Sequence, residues 1–260
     1  MLNLISRNAE QYFGIRAEES EAARLSAHIR QNYGKMDAES IQRVFSSGEA
    51  AEFLMVHETY FFREPAHFAL LLNLLPQFEK SGLIICSAAA ANGCEAYSIA
   101  MLIESWNKGR EKPLAYHIDA LDISARMIGN ARRGVYGTNA VREDGSDFHA
   151  MMAAYTEPFE NGFRVREPLK KHIHFFTHNL MNPLPKIYDL IFFRNAFIYF
   201  TQQGRERVLS NISAALRAEG LLFLGVSETM RARHADMAQK TMGDTVYFQK
   251  IKSNGKVQYG

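Results

Sequence analysis

The residues best placed for chemistry gather around one short stretch, CSAAAANGCEAY at residues 86–97. The apolar run LII precedes it and SIAMLI follows, so a buried strand runs through a turn of tiny residues into a helix. The turn holds one glycine, Gly93, and a carboxylate, Glu95, in the first helical turn. Asp122 closes the next strand, HIDALDIS. A dinucleotide site needs G-x-G-x-x-G so that pyrophosphate can reach backbone amides, and that pattern is missing. Small side chains still permit close approach by a ligand without phosphates. Glu95 suits an ammonium or a sulfonium-bearing group, an arginine elsewhere suits a carboxylate, and Asp122 suits ribose hydroxyls. Together the lone glycine, Glu95 and Asp122 favour S-adenosylmethionine over a nicotinamide dinucleotide. Each residue also has a plainer reading: Glu95 as a first-turn acid favoured by the helix dipole, Asp122 as a helix N-cap.

Other clusters carry less. His172, His174 and His178 alternate along HIHFFTHN, but no carboxylate or cysteine completes a metal set. Cys86 and Cys94 flank the turn and read as small buried residues before reactive thiols. Phe61 and Phe62 have no basic run beside them, so they read as packing and not as base-stacking platforms. Arg164 and Arg166 alternate on a hairpin and suit either solvent or an acidic peptide.

From about residue 83 short apolar runs alternate with helical stretches: LIICSA, HIDALDI, HIHFFTHN, YDLIFFRN, LLFLGVS and a final TVYFQKI. That rhythm predicts an α/β fold, a mostly parallel doubly wound sheet covered on both faces. Residues 1–60 read instead as an all-helical domain of short amphipathic segments, with a helix start at Asp37. Residues 61–68 read as a linker, Pro65 starts a helix, and residues 69–260 form the sheet domain. Within it PFENGFRVREPL predicts an inserted hairpin at about 155–172, turning at Asn161-Gly162.

Bulk properties exclude several classes. A formal net charge of +2 gives no electrostatic case for nucleic acid or anionic membrane. No run of 18 apolar residues is present, so no membrane insertion is expected. The opening MLNLISRNAEQYF lacks the apolar core of a signal peptide, and two cysteines make no disulfide framework. A cytoplasmic monomer is the expectation.

TYFFREPAHF, SAAAANGCEAYSIAM, THNL, DLIFFRNAFIYF and GLLFLGVSE, in that order, resemble the CheR family of chemotaxis-receptor glutamate methyltransferases. The resemblance spans roughly residues 55 to 250, and TYFFRE and RNAFIYF are its most specific parts. It implies a class I methyltransferase-like domain using S-adenosylmethionine, with product S-adenosylhomocysteine, an N-terminal helical domain and an inserted β-subdomain. The implied cofactor contacts are Thr59, Arg63, Ala88, Gly93, Glu95, Asp122, Met127, Asn179, Leu180, Arg194 and Asn195. The implied catalytic pair is Arg63 and Tyr199, with no metal. The implied partner is a methyl-accepting chemoreceptor-like protein, a coiled-coil helical bundle.

Three features depart from the family pattern. Cys94 and Ala96 stand where the motif GEEP has its first acid and its proline, and His57 stands where an asparagine is usual. Residues 1–60 carry nine acidic side chains against six basic ones, a surplus that would repel an acidic receptor helix. The expectation is therefore glutamate methyl-ester formation in chemosensory adaptation. A non-catalytic cofactor-binding regulator, or a methyltransferase for another protein substrate, is the alternative.

Overall fold

The computed structural model describes residues 2–55, 58–79, 81–142, 147–228 and 234–252. The chain begins with α1 (Leu2–Phe13), α2 (Glu19–Tyr33), α3 (Ala38–Ser46) and a single turn, α4 (Ala51–Leu54). Their starts and stops follow local chemistry. The Asp37 side chain accepts from the Ser40 amide at 2.9 Å, and Gly34 ends α2 in the left-handed conformation. α5 (Pro65–Leu74) opens with proline at its first position, so helix takes over the second half of the expected 61–68 linker.

Strand and helix then alternate: β1 (Leu83–Ala88), α6 (Cys94–Asn107), β2 (Tyr116–Asp122), α7 (Ala125–Arg133) and β3 (Val135–Gly137). Next come α8 (Phe148–Tyr155), β4 (Thr156–Phe159), β5 (Gly162–Val165), α9 (Glu167–Lys170), β6 (Ile173–Thr177) and β7 (Tyr188–Phe193). α10 (Gln202–Ala215), β8 (Leu216–Leu224), β9 (Met237–Met242) and β10 (Thr245–Lys250) finish the fold. Seven strands form one sheet in the order β6-β2-β1-β7-β8-β10-β9. The first five are parallel, and β10 and β9 join antiparallel. The expected α/β doubly wound sheet is thus present. β9 escaped the sequence reading because its outer residues are mostly exposed and polar, leaving no apolar alternation.

β3, β5 and β4 form a separate antiparallel sheet. The hairpin expected near 155–172 is therefore a three-stranded unit that recruits residues from 135 onward. Its turn is also one residue earlier than expected. Glu160 takes the left-handed position at φ 50°, while Gly162 already pairs with Phe159 and Gly137 in the ladder.

The sheet is buried on both faces. One face packs α5 and α6 around Phe68, Leu71, Tyr97, Ile99 and Phe192. The other packs α10 together with the N-terminal helices, and Ile5, Phe13, Leu25 and Val44 share one apolar cluster with Cys86, Leu121, Ile191 and Phe193. The N-terminal helices thus complete the core over the second face. Glu52 of α4 reinforces the contact by accepting from Ser124 and from Arg126 Nε, the latter at 2.7 Å.

Candidate functional site

β1 pairs with β2 on one side and with β7 on the other, which makes the carboxyl end of β1 the switch point of the sheet. A cleft opens there, at the place in the fold where open α/β sheets bind their ligands. Thr59, Arg63, Glu95, Asp122, Arg194, Asn195 and Tyr199 all line it, although they lie up to 140 positions apart in the chain. A second hollow shares Met55, Ala89, Asp122, Ala196 and Tyr199 and continues past Ile123, Asn179 and Leu180 to Phe13 and Ile15. The first part is lined by charge and the second almost wholly by apolar surface.

The turn after β1 achieves openness without a glycine cradle. Ala89 and Ala91 take φ 61° and 47°, conformations that cost an L-residue roughly 1–2 kcal/mol. Asp122 stabilises them: Ala91 N donates to Oδ2 at 2.8 Å and Ser124 N to Oδ1 at 2.9 Å. Ser124, not Asp122, caps α7.

Arg194 leaves the end of β7 almost fully buried, its side chain only 2% exposed. It reaches Glu95 Oε2 at 3.3 Å and Glu64 Oε2 at 3.1 Å, and it donates to the Arg63 carbonyl. Glu95 also accepts from Ser87 Oγ at 2.7 Å. Burial raises the Glu95 carboxyl above its ordinary value, with Arg194 and Ser87 opposing. Burial would also raise Glu64. There His67, whose Nδ1 approaches at 3.4 Å, the Arg194 charge, and the hydrogen bonds from Asn195 and Val226 override it and hold the carboxyl well below the usual range. Glu228 staples the next loop, accepting from Asn195 N, Phe197 N and Gly225 N at 2.7–2.8 Å.

Arg63 lies at the mouth, half-buried, with Nη1 on the Glu58 carbonyl at 2.8 Å and its guanidinium 5.7 Å from the Tyr60 ring. Its neighbours anchor it. Phe62 N donates to Ser98 Oγ at 2.9 Å and Phe61 N to the Ala140 carbonyl at 2.9 Å. Phe61 and Phe62 are buried packing, as expected. Burial raises the Tyr199 phenol while the Arg63 charge pulls it down, so the two groups feel each other across the mouth.

Three expected contacts fall elsewhere. Ala88 is buried as the last residue of β1, and Ala89, Ala90 and Ala91 line the cleft in its place. Met127 is buried in α7, outside the cleft lining. Gly93 starts α6 at φ 89°, where a β-carbon would meet Ala131 at 2.8 Å and Phe175 at 3.0 Å; it lets α6 sit close to its neighbours. Glu64, Glu228 and Ser98 were missed as functional residues. All three occur within the recognised motifs, but their acceptor roles depend on partners 33 to 162 residues away.

One of the three departures lies away from the cleft. Cys94 and Ala96 are fully buried in the core and do not line the cleft, and burial pushes both cysteine thiols up, away from reactivity. His57 lies outside the described residues.

The description "CheR methyltransferase, SAM binding domain" matches residues 57–247. The chain belongs to the CheR methyltransferase family. The chemotaxis protein methyltransferase of Borreliella burgdorferi is 32% identical over 194 residues, 70% of this chain and 68% of that protein. That of Escherichia coli K12 is 33% identical over 209 residues, covering 77% and 71%. The probable biofilm formation methyltransferase WspC of Pseudomonas aeruginosa is 35% identical over 188 residues, 68% of this chain but only 43% of that longer protein. As a CheR methyltransferase the protein uses S-adenosylmethionine in chemotaxis. The donor set fits that molecule. Glu95 and Asp122 supply buried carboxylates for cationic and hydroxyl groups, and the Leu180 hollow supplies an apolar slot for a flat base. Arg194 keeps a buried Nε without an acceptor among the described residues.

Proposed function

We propose that the protein transfers a methyl group to the γ-carboxylate of glutamate side chains on a cytoplasmic chemoreceptor helix, forming methyl esters. The observation that supports this is the placement of Arg63 and Tyr199 at the mouth of the cleft, beside the acid-lined turn. A guanidinium and a phenol there form an acceptor site for an anionic oxygen.

Bound S-adenosylmethionine supplies an electrophilic methyl group on a positively charged sulfur. Glu95, Asp122, Asn179 and Asn195 would hold it. The acceptor needs no general base, because a glutamate with a pKa of about 4.3 is already ionised at neutral pH. Tyr199 remains protonated, since burial raises its phenol, and so serves as a hydrogen-bond donor and not as a base. Arg63 and Tyr199 orient one carboxylate oxygen and leave the other free to attack in line, at roughly 3 Å. Arg63 would do this through a single contact, because a grip on both oxygens would withdraw the nucleophile's charge. Ala89, Met55 and Phe68 give the cleft an apolar lining beside its charged groups, which favours a reaction that cancels opposite charges.

Transfer of labelled methyl from S-adenosylmethionine to a receptor signalling fragment tests the reading. The label should be base-labile, released as methanol, and Arg63→Ala should slow transfer by about 100-fold. A base-stable label, or Arg63→Ala working at the wild-type rate, would overturn it.

A further inference from the structure

Residues 12–16, the end of α1 and the start of its connection to α2, touch both halves of the cleft. Asn179 Nδ2 donates to the Tyr12 carbonyl at 2.7 Å. Thr201 N donates to the Gly14 carbonyl at 2.8 Å, Ile15 bridges Phe200, and Arg16 N donates to the Tyr199 carbonyl at 3.0 Å. Phe13 and Ile15 line the apolar hollow beside Leu180. We propose that this segment is a built part of the catalytic site, which positions Tyr199 and Asn179 together, and that a glycine–glycine contact between Gly14 and Gly204 sets its position. The inference rests on reading Tyr199 as the acceptor contact and Asn179 as a cofactor contact.

The local structure shows why such support is required. Tyr199 closes a single 3₁₀ turn, Phe197–Tyr199, which is too short to hold a side chain by itself. Glu228 fixes the near end of that turn through Phe197 N. Residues 14–16 fix the far end through two backbone hydrogen bonds. Gly204 then sits in the first turn of α10, three residues beyond the Thr201 cap. Glycine weakens a helix relative to alanine by about 1 kcal/mol, so the helix itself does not call for it. The contact does. A β-carbon on Gly204 would fall 2.1 Å from the Gly14 carbonyl oxygen. A β-carbon on Gly14, at φ 68°, would fall 2.4 Å from Met181 Sδ and 3.0 Å from Gly204 Cα. Any side chain at Gly204 must therefore push α1 away from 199–201. Gly14 and Gly204 are positioning residues, acting through Tyr199 and Asn179.

Gly204→Ala tests this in the full chain. Gly34→Ala is the control: it also lies at positive φ, 72°, at the end of α2, with open space around its β-carbon. Calorimetric titration with S-adenosylhomocysteine and methyl transfer to a receptor fragment are measured for both. Gly204→Ala should lower kcat about tenfold and weaken S-adenosylhomocysteine several-fold, with the receptor KM held within about twofold. Gly34→Ala should lower only the melting temperature. A folded Gly204→Ala variant with wild-type kcat and affinity would overturn the proposal. Amide exchange on the wild type gives a second test that needs no variant. Adding S-adenosylhomocysteine should increase protection of the Arg16 and Thr201 amides about tenfold, while the Gly34 amide, bonded to the Arg30 carbonyl, stays unchanged. Unchanged protection at Arg16 and Thr201 would overturn the proposal in the same way. A wild type that neither binds nor transfers would remove the cofactor reading beneath it. A working wild type with an indifferent Gly204→Ala would remove this inference alone.

Discussion

Two turns leave the same edge of the sheet, after β1 and after β7, and they are stabilised by opposite means. The turn at 88–93 is held by backbone. Ala90 N donates to the Leu121 carbonyl at 2.8 Å, Ala91 N to Asp122, and Gly93 N to the Ala90 carbonyl at 2.9 Å. Its side chains are nearly absent, and the space they would occupy is the cleft. The segment at 194–199 is held by charge. Arg194 spans Glu64 and Glu95, and Glu228 gathers three amides. A turn that must admit a ligand leaves its volume empty and draws support from the neighbouring strand. A turn that must aim side chains fills its volume with fixed charges. The difference also sets where each turn is vulnerable: one to added bulk or altered φ, the other to loss of a partner.

Arg194→Ala should have the largest effect on stability. It would leave Glu64 and Glu95, with side chains only 18% and 15% exposed, facing each other without their shared cation. Breaking a buried pair from one side costs about 3–5 kcal/mol. Urea unfolding should show that loss. A cost below about 1 kcal/mol, as for a surface pair, would mean that charge does not hold the second turn and would break the comparison.

The two carboxylates that share Arg194 should also titrate with opposite sign. Glu64 is held below its ordinary range, so its contribution is full above about pH 4.3 and is lost as pH falls. Glu95 is raised, so the native state holds the extra proton, and stability declines as pH rises above about 4.3. Relative to wild type, the deficit of Glu64→Gln should shrink on acidification. Glu95→Gln should gain on wild type as pH rises. Unfolding free energies of the three proteins across that range give both slopes. Slopes of the same sign would show that the additional hydrogen bonds at Glu64 do not separate the two carboxyls.

What could be read from the sequence followed the same division. The turn after β1 was legible because its parts are adjacent: a strand, small residues, Glu95, and Asp122 one strand later. The alternation of strands and helices, Pro65 and the Asp37 cap were legible for the same local reason. The Arg194 network was only half legible. Arg194 and Asn195 stood out in RNAFIYF, but Glu64 lies 130 residues earlier and Glu228 33 residues later. No local pattern reports that such acids converge. Ala88, Gly93 and Met127 are implied as ligand contacts by the family resemblance alone, whereas in the structure all three are buried outside the cleft lining. The contribution of residues 12–16 had no signal at all, since it is carried by backbone groups and two separated glycines.

The smallest effect separates the two turns most sharply. Ala91 holds φ 47° and donates its amide to Asp122, and at 9% exposure it has little room to relax. Glycine there removes the left-handed penalty of roughly 1–2 kcal/mol but adds roughly 0.4–1 kcal/mol of unfolded-chain entropy. Ala91→Gly should therefore raise stability by at most about 1.6 kcal/mol, a shift of a few degrees in Tm. The corresponding change in the other turn, Asn195→Gly at φ 57°, also relieves backbone strain. It removes the hydrogen bond from Asn195 Nδ2 to Glu64 Oε1 at 2.9 Å as well. That charge-assisted bond is worth about 1.5–3 kcal/mol, more than the strain relieved, so Asn195→Gly should destabilise. Opposite signs from the two glycine substitutions would confirm that one turn is limited by its backbone and the other by its partners. Two gains of equal size would mean that backbone strain governs both.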